Sequence, residues 1–435
     1  MNEVYYITAE KLADRGYENI PEELLSAKHL IYSSPATLAF NSPGAQGFGV
    51  KRAGLAIPGS VMLLVAPACC GRNTAMISKI NGYENRFYYL LLDDTDIVTG
   101  RHLAKIPEAV KEVCESCKEI PSAVSICITC VDALLGTDMD RVCRKSSEFA
   151  GVPVVPCYMY ALTREKRLPP MAAVRKTVYS LLEPVEKRHS DEVNILGFFA
   201  PLNDDCELYD LLKQAGVKKI REISRCESFD EYKKMSQANF SLVLNPEARY
   251  AAQEMEKNLG IPSVELMRLY RLDKIRNQYK SFANAIGTSL DDEQYYNAAE
   301  TAVERFRSRF GSVKISVGEF INADSFELSA ALIRYGFKVT EIFGTVGERN
   351  FVFIKDIAKL SPETKIYSNL SPSMLYYEET ADKPDLCIGA DSGYYHKSCA
   401  VVNWNEERQP FGYEAVKLLF EQMYSALDDG KENAK

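Results

Sequence analysis

Residues 61 to 71 read Val-Met-Leu-Leu-Val-Ala-Pro-Ala-Cys-Cys-Gly, a short apolar run that ends at two adjacent thiols. Residues 125 to 136 have a similar form and read Ser-Ile-Cys-Ile-Thr-Cys-Val-Asp-Ala-Leu-Leu-Gly. Continuous apolar runs are typical of strands buried on both faces of a parallel sheet, and open α/β sheets place their ligand sites at the carboxyl ends of such strands. We therefore expect both cysteine sets to lie at the tips of buried strands.

A soft metal centre is the natural interpretation of these two turns, because thiolates select iron–sulfur clusters, zinc or copper. The four sulfur donors could come from one chain or be shared across a subunit interface. Histidine is scarce, and the four in the chain are His29, His102, His189 and His396. Chemistry that needs several imidazoles is therefore disfavoured.

Hydrophobic periodicity around the two turns predicts alternating strands and helices along the chain. The predicted strands are 61–67, 123–129, 152–157, 192–199, 240–245, 312–318, 338–344, 350–354, 364–369 and 385–390. The predicted helices are 104–120, 137–150, 171–187, 206–215, 228–237, 247–258, 263–286, 291–310, 324–335 and 411–427. Repeated βα units of this kind indicate an α/β fold with parallel sheets flanked by helices.

Two charged segments, at 183–192 and 307–312, each precede a new apolar strand and indicate that a βα domain restarts there. The sequence therefore predicts three Rossmann-like domains of similar size. The first covers 1–190 and carries the two cysteine turns, and the second covers 191–310. The third covers 311–435 and ends in the predicted C-terminal helix.

Composition is that of an ordinary soluble protein, with 46% hydrophobic and 26% charged residues in a chain of 435. A net charge of -8 without a basic stripe argues against a nucleic-acid partner. No apolar segment approaches the roughly 18 residues of a membrane span, and the first residues lack a signal-peptide pattern, so we expect a cytoplasmic protein. The glycine-rich residues 44–49 fit neither a P-loop nor a dinucleotide fingerprint, so ATP binding by this chain is not expected.

The twelve cysteines are not expected to form a disulfide framework, because a reducing compartment keeps thiols free and a large core needs no cross-links. Cys114 and Cys117 form a C-x-x-C motif, but they fall in the helical pattern 107–120. Val110, Val113, Cys117 and Ile120 trace one apolar face there, which favours core packing. The scattered cysteines share no motif and are interpreted as core or incidental thiols: Cys143, Cys157, Cys206, Cys226, Cys387 and Cys399.

Three segments in a fixed order resemble the nitrogenase component 1 family. They are Ala-Pro-Ala-Cys-Cys-Gly at 66–71, the acidic Leu-Asp-Asp-Thr-Asp-Ile-Val-Thr-Gly at 92–100, and Thr-Cys-Val-Asp-Ala-Leu-Leu-Gly-Thr-Asp at 129–138. The likeness continues in Asn-Leu-Gly-Ile-Pro at 258–262 and in the tryptophan segment 404–413. The family includes a cofactor-assembly scaffold, the dark-operative protochlorophyllide reductase and the nickel-sirohydrochlorin reductive cyclase.

This resemblance implies three Rossmann-like domains and an iron–sulfur cluster held by cysteines of the first domain near a subunit interface. Cys70 and Cys130 match two of the three cluster cysteines of the family. The third is absent, since residues 41–45 contain no cysteine, so a simpler 4Fe-4S cluster is favoured over the double cluster of nitrogenase. Cys69 and Cys127 lie beside the matched pair and could replace the missing ligand, or they could be core thiols.

The same resemblance bears on the active-site cofactor of nitrogenase, which one cysteine and one histidine hold. Their places fall at about Leu244 and Phe411 here, and neither side chain can bind iron. A nitrogenase-type molybdenum cofactor and dinitrogen reduction are therefore not expected. Candidates for contacting an organic or metallo-organic substrate are Arg72, Arg101, His102, Arg249, Tyr250 and His396, although a surface-loop imidazole is the preferred interpretation of His396.

Three functions remain open. The first is an oxidoreductase subunit that accepts electrons from a separate ATP-dependent iron protein and reduces a bound substrate. The second is a metallocluster scaffold or carrier, and the third is a small-molecule binding protein without redox activity. Either a homodimer or a heterodimer with a related component 1 subunit is expected. The carboxylates at 93–96 and 138–140 flank the cysteine turns, and helix N-terminal capping is their favoured role.

Overall fold

The computed structural model describes residues 3–25, 53–68, 70–71, 79, 82–158, 168–379 and 382–432, and it contains three sheets. The first sheet contains β2 (Val61–Ala66), β3 (Phe87–Leu91), β4 (Val124–Ile128) and β5 (Val154–Tyr158). The second contains β6 (His189–Leu196), β7 (Lys219–Glu222), β8 (Ala238–Val243) and β9 (Ser263–Glu265). The third contains β1 (Ile7–Thr8), β10 (Lys314–Val317), β11 (Lys338–Phe343), β12 (Lys365–Tyr367), β13 (Leu386–Ile388) and β14 (Ala400–Val402).

Helices connect and cover these strands. In the first half of the chain they are α1 (Ala9–Arg15), α2 (Asp94–Thr99), α3 (His102–Ser116), α4 (Cys130–Leu135), α5 (Met139–Ala150), α6 (Pro170–Val178) and α7 (Glu207–Gln214). In the second half they are α8 (Phe229–Lys233), α9 (Arg249–Leu259), α10 (Leu272–Ala285), α11 (Glu293–Phe310), α12 (Ser325–Arg334), α13 (Phe351–Leu360), α14 (Ala390–Tyr395) and α15 (Gly412–Glu432). The predicted α/β class, with parallel sheets flanked by helices, is therefore confirmed.

The first sheet is parallel throughout and has the order β3-β2-β4-β5. All six residues of β2 are buried, as expected for a central parallel strand covered on both faces. After β2, the chain forms β3 on one side of β2 and later forms β4 on its other side. The order therefore reverses between β2 and β4, which is the kind of position where doubly wound sheets bind ligands.

The second sheet repeats this arrangement with the order β7-β6-β8-β9, and all its pairings are parallel. One apolar cluster joins residues of the first two sheets, with Met62 and Leu64 from β2 and Leu196 and Val243 from the second sheet. Helices α6 and α9 add further apolar side chains to it. Burial of this shared surface holds the two sheets together.

The third sheet has the order β1-β12-β11-β10-β13-β14. Its pairings are parallel except for the two-residue strand β1, which runs antiparallel to β12. Its order reverses between β10 and β13, so the third sheet has a switch point of its own.

Spatial clustering divides the described residues into two compact units. One takes its residues from 1–45, 202–215 and 268–435 and contains the third sheet, and the other takes them from 46–201 and 216–267 and contains the first two sheets. The domain boundaries near 190 and 311 stay predictions. Within the described part of the chain, no helix is long and apolar enough to cross a membrane.

Three predicted elements are wrong in type or extent. The helix predicted at 171–187 ends at Val178. The strand predicted at 350–354 is the start of α13, because Phe351, Ile354 and Ile357 are buried at a helical spacing rather than an alternating one. The helix predicted at 263–286 begins only at Leu272, since 263–265 form β9 beside β8. The strands β1, β3, β7, β9 and β14 were not predicted, because edge strands bury less of their surface and carry a weaker apolar pattern.

Candidate functional site

The two cysteine turns follow neighbouring strands of the first sheet. Val65 of β2 pairs with Ile128 of β4, so both strands end at the same edge of the sheet. Cys70 comes four residues after the end of β2, and Cys130 is the first residue of α4 directly beyond β4. The carboxyl ends of β2, β3 and β4 with the residues that follow them are called the first-sheet edge below. This edge includes the switch point between β2 and β4.

The turn that carries Cys70 packs closely on one aromatic ring. A Cβ atom at Gly71 would lie 2.3 Å from Cζ of Tyr89, so any larger residue would require the Tyr89 ring to move. The Tyr89 hydroxyl donates to the carbonyl oxygen of Ala66 at 2.9 Å, and the Cys70 amide donates to the carbonyl of Pro67 at 3.1 Å. Cys70 itself is half-buried. Cys69 lies outside the described residues.

The turn that carries Cys130 leaves two oxygen atoms without a hydrogen-bond partner among the described residues. Thr129 precedes α4 but makes no side-chain capping bond, and its Oγ1 is buried and unpaired. Oδ2 of Asp132 is likewise buried and unpaired. Gly136 ends the helix with φ of 69°, a left-handed conformation that explains the glycine of this motif.

A buried polar network surrounds this turn. His102 places Nε2 at 3.2 Å from Oδ1 of Asp132 and Nδ1 at 3.1 Å from the carbonyl of Asp96. Thr137 also donates to Oδ1 of Asp132, at 2.9 Å. His102 was expected to be an exposed substrate contact, and this is wrong because the ring is buried between these oxygens. It connects α3 to α2 and α4, so it positions the Cys130 turn rather than contacting solvent.

Asp96 is the charged centre of the acidic segment. Its buried carboxylate accepts hydrogen bonds from Lys105 at 2.6 Å and from Arg101 at 3.0 Å. The bond from Lys105 is the main reason why the pKa of Asp96 falls to about 2, with burial opposing the shift and Arg101 adding to it. Arg101, another candidate substrate contact, thus forms an ion pair with Asp96.

The capping role predicted for the acidic segments is confirmed. The Asp93 carboxylate accepts from the amide of Asp96 at 2.7 Å, and the Asp96 carboxylate accepts from the amide of Asp93 at 3.4 Å, which makes a capping box at α2. Asp138 accepts from the amide of Arg141 at 3.0 Å and caps α5. These carboxylates therefore serve the helices beside the cysteine turns.

Cys127 has a different setting from the two turn cysteines. It lies within β4, is fully buried, and pairs in register with Leu64 on one side and Cys157 on the other. Its side chain belongs to the apolar cluster shared by the first two sheets, whereas Ile126 and Ile128 belong to the cluster on the opposite face. This setting supports the interpretation of Cys127 as a core thiol.

The other predicted positions are distributed as follows. Leu244 and Phe411, which the resemblance predicts at the places of the cofactor ligands, are buried apolar side chains. Arg249 forms a bidentate pair with Glu265 at 2.7 and 2.8 Å, and Tyr250 is half-exposed. Arg72 lies outside the described residues. The C-x-x-C helix ends at Ser116, and Ile120 is 80% exposed, so its place in the predicted apolar face is wrong.

His396 was expected to be a surface-loop imidazole, and this is wrong. The ring is fully buried, with Nε2 at 2.7 Å from Oε2 of Glu341 and at 3.0 Å from the hydroxyl of Tyr377. The hydroxyl of Tyr377 also donates to Glu341 at 2.9 Å. The apolar strands around this segment gave no signal that the imidazole would be enclosed.

Sequence reasoning also missed a pair of carboxylates beyond β10 and β13, the fully buried Asp391 and the partly buried Glu319. Asp391 accepts from the amide of Glu319 at 2.7 Å and from the side chain of Asn369 at 2.7 Å. Burial raises the pKa of both Asp391 and Glu319. Close glycines could have signalled the pair, since a Cβ at Gly318 would lie 2.2 Å from Asp391. These residues and His396 form what is called the third-sheet edge below.

The donor set of the described side chains is incomplete for a metal site. Among the described side chains, no group of three or more His, Cys, Asp or Glu residues could hold a metal ion. The thiols at the first-sheet edge nevertheless suit iron, and the unpaired hydroxyl of Thr129 offers a hydrogen-bond donor beside one of them. A four-sulfur site therefore requires further thiols, from Cys69 or from a second subunit.

Fold and site together define an α/β protein with paired thiol turns at a sheet switch point, and comparison with known proteins gives its family. Residues 45–428 match the family described as Nitrogenase component 1 type Oxidoreductase. The chain belongs to this family.

Relatives and solved structures agree with this assignment. The nitrogenase iron-molybdenum cofactor biosynthesis protein NifE of Sinorhizobium fredii is 25% identical over 357 residues, which cover 77% of this chain and 71% of that protein. The protein of the same name from Methanococcus maripaludis is 27% identical over 275 residues, covering 61% of this chain and 54% of that protein. The structure described as nitrogenase Cp1 at pH 6.5 matches with a TM-score of 0.70 and 15% identity, covering 88% of this chain and 92% of that one.

Proposed function

We propose that this protein is a subunit of a nitrogenase-like oxidoreductase. In this proposal it binds an iron–sulfur cluster, accepts electrons from an ATP-dependent iron protein and reduces a bound substrate other than dinitrogen. The observation that carries the proposal is the position of the Cys70 and Cys130 turns, which follow adjacent strands at the switch point of the first sheet. Parallel sheets bind ligands at such positions.

Cys70 and Cys130 are the proposed ligands, and Cys127 is proposed to fill space in the core. Two thiols per chain would make a 4Fe-4S site when two subunits each supply a pair, in a homodimer or with a related component 1 chain. Cys69 is the alternative source of a third thiol. When bound, the cluster supplies one-electron storage.

The residues around the thiols have the roles of positioning and shielding. The Tyr89 ring fixes the Cys70 turn through Gly71, and the His102 to Asp132 pair fixes the start of α4. The hydroxyl of Thr129 is proposed to donate a hydrogen bond to a sulfur atom of the cluster, since it has no partner among the described residues. Such bonds raise the reduction potential of a cluster.

The proposal excludes dinitrogen as the substrate because of two residues. Leu244 and Phe411 stand where a cofactor would need a thiolate and an imidazole, and both are buried apolar side chains. Neither carries an atom that binds iron. A substrate that binds from solution does not need side chains that ligate iron at these two positions.

A second candidate is a scaffold that assembles or carries a metallocluster. The names of the relatives favour it, since they are cofactor biosynthesis proteins. A reductase is reoxidised by its substrate, whereas a scaffold gives up a cluster to an acceptor protein. Mixing the iron-loaded protein with an apo-acceptor and measuring iron transfer distinguishes the two.

The ligand assignment is tested by anaerobic purification, with quantification of iron and sulfide and electron paramagnetic resonance of the reduced protein. Cys70→Ala and Cys130→Ala are each expected to lose at least nine-tenths of the iron while keeping a native circular dichroism spectrum. Cys143→Ala is the matched control, because this buried thiol packs under the same sheet and precedes no strand-end turn. Full iron retention in both turn variants would refute the assignment, and no iron in the wild type would favour a binding protein without redox activity.

A further inference from the structure

The cysteines of the third sheet include a pair that the sequence did not single out. Cys387 of β13 and Cys399, directly before β14, are joined by a disulfide across a separation of 12 residues, and their Cα atoms are 6.6 Å apart. Both had been interpreted as core or incidental thiols, so this is a correction. Cys387 lies on β13, and Cys399 immediately precedes the neighbouring parallel strand β14, where Val401 pairs in register with Cys387. The parallel pairing brings the two side chains within reach of each other.

The two sulfur atoms differ in access. Cys387 is fully buried in the sheet, whereas Cys399 is half-buried at the bend before β14. Sγ of Cys399 also lies 3.2 Å from the carbonyl oxygen of His396. An external thiol can therefore reach Cys399 first, and Cys387 is the sulfur that leaves.

The loop closed by this bond contains much of the third-sheet edge. It includes α14 with Asp391, which accepts from Glu319 and Asn369, and His396, which contacts Glu341. These residues fasten the loop to β10, β11 and the segment after β12. A cross-link that closes the loop adds to these polar contacts, because it restricts the chain that they must order.

We propose that Cys387 and Cys399 form a reversible redox site, which a soluble protein of the dithiol–disulfide exchange class reduces and reoxidises. In the reduction, a thiolate of that partner attacks Sγ of Cys399, the Cys387 to Cys399 bond breaks, and Cys387 leaves as a thiolate that takes up a proton. The second partner thiol then attacks the mixed disulfide and releases Cys399 as a thiol. Two electrons pass to this protein, and the partner becomes a disulfide.

The consequence of reduction is a looser α14 segment. With the cross-link open, non-covalent contacts alone hold residues 389–399. Besides those of Asp391 and His396, they include the hydrogen bond from Ser392 to Ser316 and the packing of the Tyr395 ring on Phe343. This inference goes beyond the proposed function, since none of the cysteines proposed as cluster ligands belongs to the pair. The redox test can fail even if the protein binds iron, and iron binding can fail even if the disulfide is reversible.

The first experiment uses the full-length protein equilibrated with mixtures of reduced and oxidised dithiothreitol, then quenched in acid, alkylated and analysed by peptide mass spectrometry. The peptides with Cys387 and Cys399 are expected to change together from unlabelled to doubly labelled over one narrow range of the mixture, and to reverse. Cys114 and Cys117 are the matched control, since they are closer in sequence and each remains a thiol. Full labelling of Cys387 and Cys399 under the most oxidising mixture would overturn the proposal, as would a bond that cannot be reduced in the folded protein.

A second experiment measures the consequence by hydrogen exchange. Reduction is expected to increase amide exchange at least tenfold in residues 389–399, with no change in β2 and β4. Cys399→Ser should show fast amide exchange in residues 389–399 in both redox states. Cys387→Ser should show the same fast exchange if the variant folds. Equal exchange in the oxidised and reduced wild type would overturn the inferred loosening.

Discussion

The first-sheet edge and the third-sheet edge both contain buried carboxylates beyond parallel strands, but the pKa values of these carboxylates shift in opposite directions. At the first-sheet edge, Asp96 accepts from two cations, and the pKa of its carboxyl falls to about 2. At the third-sheet edge, Asp391 and Glu319 accept mainly from amides, and burial raises the pKa of both. The comparison teaches that equivalent positions in one architecture can keep a carboxylate ionised or favour its protonated form, according to the donors nearby.

The largest expected difference between the two edges comes from glycine replacement. Gly389 has φ of 105°, and a Cβ there would lie 2.7 Å from Oδ1 of Asp391 and 3.2 Å from Cα of Gly318. We expect Gly389→Ala to cost more than about 3 kcal/mol of unfolding free energy, because backbone strain and overlap add. Gly136→Ala at the first-sheet edge should cost about 1 kcal/mol, since nothing lies within 4 Å of its Cβ. Urea unfolding followed by circular dichroism measures both, and equal losses would contradict the close packing at Gly389.

The two buried histidines give the next largest contrast. His396 contacts Glu341 at 2.7 Å, whereas His102 contacts Asp132 at 3.2 Å. We expect His396→Ala to cost about 3 kcal/mol and His102→Ala about 2 kcal/mol, because each leaves a buried carboxylate with fewer partners. His189→Ala is the control, since its ring is partly exposed and its buried partner Glu192 keeps an ion pair with Arg221. A larger loss for His102→Ala in urea unfolding would reverse the ranking of the two networks.

At the first-sheet edge, much of the local structure could be predicted from the sequence. The apolar run ending at Cys70 and the acidic motif around Asp96 are local patterns, and strands β2 and β4, with the caps of α2 and α5, followed from them. The spacing of the motifs also indicated the family. Such local patterns predict structure well, because strand burial and helix capping depend on residues that are close in sequence.

The third-sheet edge could not be predicted in the same way. The contact of His396 with Glu341 joins residues 55 apart, and the one between Asp391 and Glu319 joins residues 72 apart. The same applies to the Cys387 to Cys399 bond, which depends on the pairing of β13 with β14. Strand β14 is a three-residue edge strand, and its short apolar run gave no basis for placing a cysteine beside Cys387.

The pH dependence of stability should differ in sign between the two edges. A carboxyl whose folded pKa is raised binds its proton more tightly in the folded state, so unfolding free energy falls as pH rises above the ordinary pKa. We expect Asp391→Asn to remove part of this fall between pH 4 and neutrality, because the amide cannot ionise. The thermal midpoint measured at several pH values checks this, with Glu254→Gln, a partly exposed carboxylate paired with Lys176, as the control. An unchanged pH slope in Asp391→Asn would contradict the burial argument.

The smallest expected effect is that of Lys105→Gln at the first-sheet edge. Lys105 is the main cause of the lowered pKa of Asp96, so its removal brings that pKa back towards the ordinary 3.8. A lowered pKa contributes stability that is present above the ordinary pKa and is lost as pH falls through about 2. The variant should therefore have a slightly lower thermal midpoint than the wild type at pH 7 and pH 5, and the difference should shrink below the ordinary pKa.

Lys111→Gln is the matched control on the same helix, because Lys111 is half-exposed, pairs with the exposed Glu115 at 3.8 Å and lies over the exposed Phe149 ring. Its midpoint should follow the wild type at every pH, since exposed pairs of this kind contribute little. Added salt should reduce the Lys105→Gln difference less than it would for an exposed pair, because the Asp96 carboxylate is enclosed by protein. A difference that grows towards acid pH would mean that Asp96 is not held ionised by Lys105, and the electrostatic contrast between the two edges would then rest on the third-sheet edge alone.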